Sequence, residues 1–236
     1  MMECTLDQDF VRSLTIPPRP EIVAVLFEEM SRDVPDLRRI SKSISADVGL
    51  SAAMLKVVNS PAFNLVQKAR SITQAVELLG MRNVSGIATG LVIRHALAGG
   101  EKDAAMIRFW DTAEKTALIC AISRNPCAAF RATRPTPSTC SHDCGIPLLM
   151  RRYPQYKETL ARANRSGDRS FAQVEEEDVG THHGAVGYFR ARSWSLPDTM
   201  CQAILSHHDL GMYDDPEVAD AVRNFVGIGH IAEHVE

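Results

Sequence analysis

The stretch Ser45–Phe63, SADVGLSAAMLKVVNSPAF, decides the fold class. Leu50, Ala53, Met54, Val57 and Val58 fall at i, i+3, i+4, i+7 and i+8, the spacing that lines one face of an α-helix. Pro61 disfavours helical geometry at Ser60, so this helix is expected to stop at Asn59-Ser60. The same period recurs on both sides. Before it, Ile22, Val23, Leu26, Phe27 and Met30 form a stripe behind the prolines of IPPRP, and Leu37, Ile40 and Ile44 form a shorter one. After it, SITQAVELLG reads as a compact helix: Ser71 and Gln74 have capping-box spacing and Gly80 suits the left-handed position past the end. Val84, Ile87, Ala88, Leu91 and Val92 carry the period onward, with Gly86 and Gly90 placed for close helix packing.

AGGEKD (Ala98–Asp103) is the expected internal boundary. Beyond it Met106, Trp110, Ala113 and Ala117 start another helix, expected to end near Asn125-Pro126. RATRPTPST (Arg131–Thr139) and ANRSGDRS read as loops. DVGTHHGAVGYFRARSWSLP and DTMCQAILSHH read as two helices joined at Ser193–Pro197. Alternating runs of β-branched residues are few and no Asn-Gly hairpin signal occurs, so the expected class is all-α.

Composition narrows the function. The 236 residues, 45% hydrophobic and 23% charged, suit one large globular domain or two small ones. A net charge of −3 gives no general pull toward nucleic acid or an anionic membrane. No apolar run is long enough to span a bilayer and the N-terminus lacks a signal-peptide pattern, so a cytoplasmic location with six reduced cysteines is expected. Between Arg124 and Arg169 nine Lys/Arg face three acids. A solvated helix face explains most of that bias. The functional alternative is a phosphate-bearing small ligand held by guanidinium groups such as Arg151 and Arg152. Of the fourteen aromatic residues only Phe130, Tyr153 and Tyr156 fall among those arginines and the net charge is acidic, so nucleic acid is not expected as a partner.

The chemistry concentrates in histidines. Of eight, five lie at His142-Asp143, His182-His183 and His207-His208. Met200, Ile204 and His208 recur at i, i+4 and i+8, placing His208 on a buried stripe with His207 at its edge. Val179, one of His182 and His183, and Val186 can likewise share a face. Imidazoles projecting from packed helices toward one interior are how metal sites in helical bundles are built. Each residue also has a structural alternative: Asp143 can fix the tautomer of His142, and His183 or His208 can be a core histidine bonded to a carbonyl. Cys140 and Cys144 flank the pair, but three ligands on so short a turn would need a fourth from elsewhere.

At this point the chain resembles a known family. LTIPPRPEIVAVLFEEMSRDVPDLRRISKSISADVGLSAAMLKVVNSPAFN followed by SITQAVELLGM is similar to the N-terminal half of an HDOD domain, the HD-related output domain of bacterial signalling proteins. FW, SHDCG, GTHHGAVG, WSLPD and ILSHHD, in that order, resemble its HD-superfamily core. The resemblance implies one domain made of an N-terminal helical lobe over residues 14–98 and a degenerate HD-like core over 100–236. It also implies a ligand set in active relatives of an early His, the His-Asp pair, further histidines and a late Asp. Here FWDTAEK puts Thr112 at the early His, and HIAEHVE puts Glu233 at the late Asp. The ligands that remain are His142, Asp143, His183, His207 and His208. They suffice for one residual ion of Fe, Mn or Zn, or for none. The resemblance therefore implies a non-catalytic regulatory output module working through signalling-protein partners or a small ligand, and apolar helix faces expected at the lobe boundary leave a homodimer as one arrangement. The alternative it leaves open is a metal-dependent phosphohydrolase acting on a nucleotide or phosphodiester.

Overall fold

The protein is described by a computed structural model covering residues 18–98, 104–123 and 142–235. Twelve α-helices and no strand occur among the described residues: α1 (Glu21–Met30), α2 (Leu37–Ser45), α3 (Val48–Val58), α4 (Ile72–Leu79), α5 (Met81–Ala98), α6 (Ala104–Ser123), α7 (Gly145–Arg152), α8 (Tyr156–Ala163), α9 (Phe171–Val179), α10 (His183–Ser193), α11 (Asp198–Ser206) and α12 (Asp220–Val235). The fold is all-α. No helix among the described residues is long and apolar enough to cross a membrane. The RATRPTPST segment and Cys140 lie outside the described residues.

The helices divide into two compact units. One holds α1–α6 with the end of α12 from Ile228; the other holds α7–α11 with the start of α12 to Gly227. The division differs from the boundary expected at Ala98–Asp103, because α6 groups with the N-terminal helices. Arg94 of α5 bonds Glu114 of α6 at 2.6 Å, and α6 packs on the turn at Pro61–Phe63.

In the first unit, short polar side chains set the helix starts. Asp36 accepts from the backbone N–H groups of Arg38 and Arg39, and Asp47 from that of Leu50, each satisfying donors that a helix start leaves open. Ser71 accepts from the Gln74 N–H, but the Gln74 side chain turns to the N–H of Arg70 rather than Ser71, so the capping box is only half formed. Gly80 ends α4 at φ 78° and ψ 156°, outside the left-handed helical well but in a region that still favours glycine. Leu50, Met54 and Val58 are buried along α3, while Ala53 and Val57 of the expected stripe lie at its half-buried edge. Glu29 is buried on α1, accepting from the Asp36 N–H at 2.8 Å and from Arg39 at 2.6 Å, which ties α1 to the start of α2.

The second unit corrects one expectation. DVGTHHGAVG is not continuous helix: Gly180 takes φ 73° and closes α9, and His182 caps α10 by accepting from the Ala185 N–H at 3.3 Å. Val179 and His183 therefore do not share a helix face. The expected break at Ser193–Pro197 is present between α10 and α11.

Arg190 of α10 is 2% exposed, its guanidinium stacked 3.6 Å from the centroid of the Trp194 ring. None of its nitrogens has a hydrogen-bond partner among the described residues, and burial lowers the group to about 10. A cation–π contact contributes about 2 kcal/mol when desolvated, less than the several kcal/mol that burying a charge costs. Arg190→Met is therefore expected to match the wild type in stability or to exceed it by about 1–3 kcal/mol, read from its thermal unfolding. Destabilisation beyond about 2 kcal/mol would mean that the buried guanidinium is compensated after all.

Candidate metal centre

Three helices are brought unusually close at the centre of the second unit. Gly145 opens α7 against the first turn of α10, where an added Cβ would lie 2.0 Å from the His183 carbonyl oxygen. On α10, a Cβ at Gly184 would meet the Ile204 oxygen at 3.0 Å, and one at Gly187 would meet the Ile204 side chain at 2.8 Å. Glycines at these faces let α7, α10 and α11 approach backbone to backbone. That approach delivers Asp143 from just before α7, His183 from the start of α10, and His207 and His208 from the end of α11.

One ligand atom from each of Asp143, His183, His207 and His208 lies within 4.8 Å of all the others. His183 Nε2 stands 2.9 Å from His207 Nε2 and 3.1 Å from His208 Nε2. Asp143 Oδ1 is 3.3 Å from both His183 Nε2 and His207 Nε2. Donors about 2.1 Å from one ion are separated by roughly 3.0–3.4 Å when they bind at 90–110°, so the spacing suits a single divalent cation.

The outer nitrogens fix which atoms face inward. His183 Nδ1 lies 2.7 Å from Glu175 Oε2, and His207 Nδ1 lies 2.7 Å from the Ile204 carbonyl oxygen. Both partners are acceptors, so both Nδ1 atoms carry hydrogen, and the lone pair that either ring has when neutral lies at Nε2, facing the other ring. Two lone pairs at 2.9 Å repel unless a cation, a metal ion or a proton, lies between them. Carboxylate or carbonyl acceptors behind ligating imidazoles are the usual support of a metal site.

Electrostatics agree with this reading. Burial opposes ionisation of Asp143, but the charge of His142 and hydrogen bonds with His142, His183 and His207 hold its carboxyl well below the usual range. Burial alone would depress His183; hydrogen bonds to Asp143 and Glu175 reverse that and raise it to about 9. His207 is pushed down to about 4 and His208 to about 2, chiefly by burial and secondly by neighbouring imidazoles in the case of His208.

All five metal candidates from the sequence meet here, with different roles. His142 bonds the other oxygen of Asp143, Nε2 to Oδ2 at 3.1 Å, and so braces the carboxylate. The choice left open between His182 and His183 falls to His183, since His182 is a helix cap. His207 and His208 both enter, although α11 ends at Ser206 and His208 lies beyond the stripe that suggested it. Cys144 faces the Gly187 carbonyl at 3.9 Å, and burial pushes its thiol up to about 12, so it offers no thiolate. Arg151 and Arg152 are exposed at the end of α7 and form no ion pair among the described residues. Thr112 is exposed on α6 and Glu233 is exposed on α12.

Sequence reading missed Glu175, Tyr156 and Phe171. Glu175 is fully buried, and its Oε1 accepts a hydrogen bond from the equally buried Tyr156 hydroxyl. Phe171 stacks on His208 with ring centroids 5.0 Å apart and planes 4° from parallel. A signal was present in Phe171, Val174, Glu175 and Asp178, which follow i, i+3, i+4 and i+7. An acid on an inward stripe is a candidate partner for a buried base, though VEEEDV reads first as a solvated acidic run.

An all-helical unit in which an adjacent His-Asp pair is completed by imidazoles from later helices is the arrangement expected of an HD-superfamily domain. The HDOD domain model matches residues 16–210, and the chain belongs to that family. An uncharacterised protein of Treponema pallidum (strain Nichols) is 26% identical over 198 residues, 81% of this chain. This chain spans only 38% of that relative's length. Among solved structures, an HDOD domain protein of unknown function from Geobacter sulfurreducens superposes with a TM-score of 0.76 at 22% identity, covering 97% of this chain and 75% of its own. A proposed phosphohydrolase from Shewanella amazonensis SB2B gives 0.69 at 21% identity, over 96% of this chain and 78% of its own. A proposed signal transduction protein from Marinobacter aquaeolei VT8 gives 0.66 at 20% identity, over 96% of this chain and 51% of its own. These likenesses show the fold.

Proposed function

We propose that the chain is a cytoplasmic signal-transduction output module whose HD-type unit holds one divalent ion as a structural or regulatory ligand rather than as a hydrolytic centre. The observation that carries the ion is the pair of inward Nε2 atoms of His183 and His207 at 2.9 Å, each ring fixed from behind by an acceptor. Coordination number weighs against hydrolysis. Asp143, His183, His207 and His208 make four protein donors, which fill a tetrahedral shell, whereas a catalytic zinc site keeps one position for water. Fe, Mn and Zn all accept such nitrogen and oxygen donors. A loaded and an empty site would favour different packings of the helices around it, and a signalling partner would distinguish them. Exposed Arg151 and Arg152 suit a phosphate-bearing ligand on the same unit, and a homodimer is one way to present its surface.

One observation favours a hydrolase instead. Asp143 turns Oδ1 to His183 and His207 and Oδ2 to His142, the attitude of a carboxylate that bridges two ions. The test is metal content per chain after purification without chelator, followed by assays on phosphodiester and nucleotide substrates with Fe, Mn and Zn. One equivalent and no turnover above the free ion supports the regulatory reading. Turnover that disappears in Asp143→Asn would replace it with the enzyme.

The same reading sets a pH dependence. Near neutral pH, Asp143, His207 and His208 are already deprotonated, whereas His183 at about 9 is not. Ion capture should release one proton, from His183. Apparent affinity is therefore expected to rise about tenfold per pH unit from roughly pH 5 to 8 and to level off above 9. Calorimetry in buffers of different ionisation enthalpy counts that proton directly, and a pH-independent affinity would contradict the assignment.

A further inference from the structure

Behind the candidate ion position runs a second, fully buried layer that the sequence did not reveal. Glu175 Oε2 is 2.7 Å from His183 Nδ1 and also accepts from the His183 backbone N–H at 3.2 Å. Its Oε1 takes the Tyr156 hydroxyl. Tyr156, Glu175 and His183 are each 0% exposed, so no solvent competes for these bonds. Tyr156 lies on α8, Glu175 on α9 and His183 on α10, so one relay links three helices. One turn further along, Thr159 of α8 donates to Asp178 of α9 at 2.7 Å, and Arg162 pairs with the same carboxylate. Residues 156 and 159 thus face 175 and 178 as two rungs, one fully buried and joined to the metal centre, the other running from buried Thr159 to the rim at Asp178 and Arg162.

We propose that Glu175, braced by Tyr156, is the positioning residue that presents His183 Nε2 to the ion, so that metal capture and the seating of α8 on α9 form one coupled equilibrium. This inference rests on the metal reading above for its purpose. The physical basis is geometric. An imidazole without a partner at Nδ1 can rotate about its side-chain bonds or exchange tautomers, and either removes the Nε2 lone pair from the site. Glu175 grips the residue at two points, ring and backbone, which leaves little rotation. A carboxylate behind the ring also makes His183 the more basic donor. Glu175 itself would be mobile without a partner for its other oxygen, and that partner is supplied by α8. Whatever loosens α8 therefore slackens the ion's ligand, and by reciprocity the ion tightens α8.

The test compares Glu175→Gln, Tyr156→Phe and Thr159→Ala with the wild-type chain. Zinc affinity is read by competition with a chelating indicator, and folding is checked by circular dichroism. Glu175→Gln keeps size and shape and is expected to bind zinc about 10–100-fold more weakly, with Tyr156→Phe losing less. Thr159→Ala removes only the rim rung and should stay within about twofold of wild type. The second readout needs no metal: in ¹⁵N-histidine spectra, the hydrogen-bonded Nδ1–H of His183 should exchange slowly in the wild type and shift or broaden in Glu175→Gln. If zinc affinity and the His183 resonance both survive in a folded Glu175→Gln protein, positioning by Glu175 is overturned. If all three variants weaken zinc equally, the effect is general loosening and the proposal is again overturned. If the wild type binds no metal but the Nδ1–H signal depends on Glu175, positioning stands and the metal reading fails.

Discussion

His183→Ala is expected to abolish stoichiometric metal binding and to lower the unfolding temperature of the metal-loaded chain by roughly 8–16 °C. The size follows from linkage: an ion at a thousandfold excess over its dissociation constant stabilises the folded state by about 4 kcal/mol. His183 is the residue most deeply committed to the site, because its Nε2 lies within 3.3 Å of donors on Asp143, His207 and His208. Its loss also leaves Glu175 buried with Tyr156 as its remaining side-chain partner, and an uncompensated buried carboxylate adds cost of its own. The comparison with His142→Ala is decisive about roles. His142 Nε2 bonds the oxygen of Asp143 that faces away from His183 and His207, so its removal should weaken metal binding without abolishing it. If His142→Ala empties the site and His183→Ala does not, then His142 is the ligand and His183 the brace. If chelator leaves the wild-type unfolding temperature unchanged, the site holds a proton rather than an ion.

Much of this was legible before the fold was seen, for reasons that differ by residue. Leu50, Met54 and Val58 declare their helix because burial on one face imposes a period, and Ser71 marks a helix start with a bond made within three residues. Local rules reach local bonds. They failed at Gly180, where a helical period runs unbroken through DVGTHHGAVG while the chain turns at φ 73°. They also placed His208 on a helix that ends two residues earlier. The His-Asp pair and the two His-His pairs stand out as residue types, and the resemblance to the family put them in one site. Glu175 could not be found that way. Its role depends on meeting Tyr156 and His183 across helices, and its neighbours Glu176 and Glu177 are ordinary exposed acids.

Gly145→Ala is expected to be the most damaging single-methyl change in the second unit. The added Cβ would sit 2.0 Å from the His183 oxygen, 2.8 Å from its carbonyl carbon and 2.9 Å from the Gly187 nitrogen. All three are backbone atoms, so no side chain can swing away; α7 must move off α10 by about an ångström or more. Overpacking of this kind costs about 3 kcal/mol where the neighbours cannot yield, against roughly 1–3 kcal/mol in more compliant cores. The displacement is also aimed at the metal centre, since Asp143 lies two residues before Gly145 and His183 is the residue struck. A lowered unfolding temperature should therefore come with weakened metal binding in whatever fraction stays folded. Gly229→Ala on α12 is the matched control: a Cβ there meets nothing within 4 Å, and glycine to alanine inside a helix stabilises by up to about 1 kcal/mol. Opposite signs for the two alanines would tie the cost to the close approach of α7 and α10. A Gly145→Ala protein with full metal content and an unchanged unfolding temperature would mean that these helices do not meet as described.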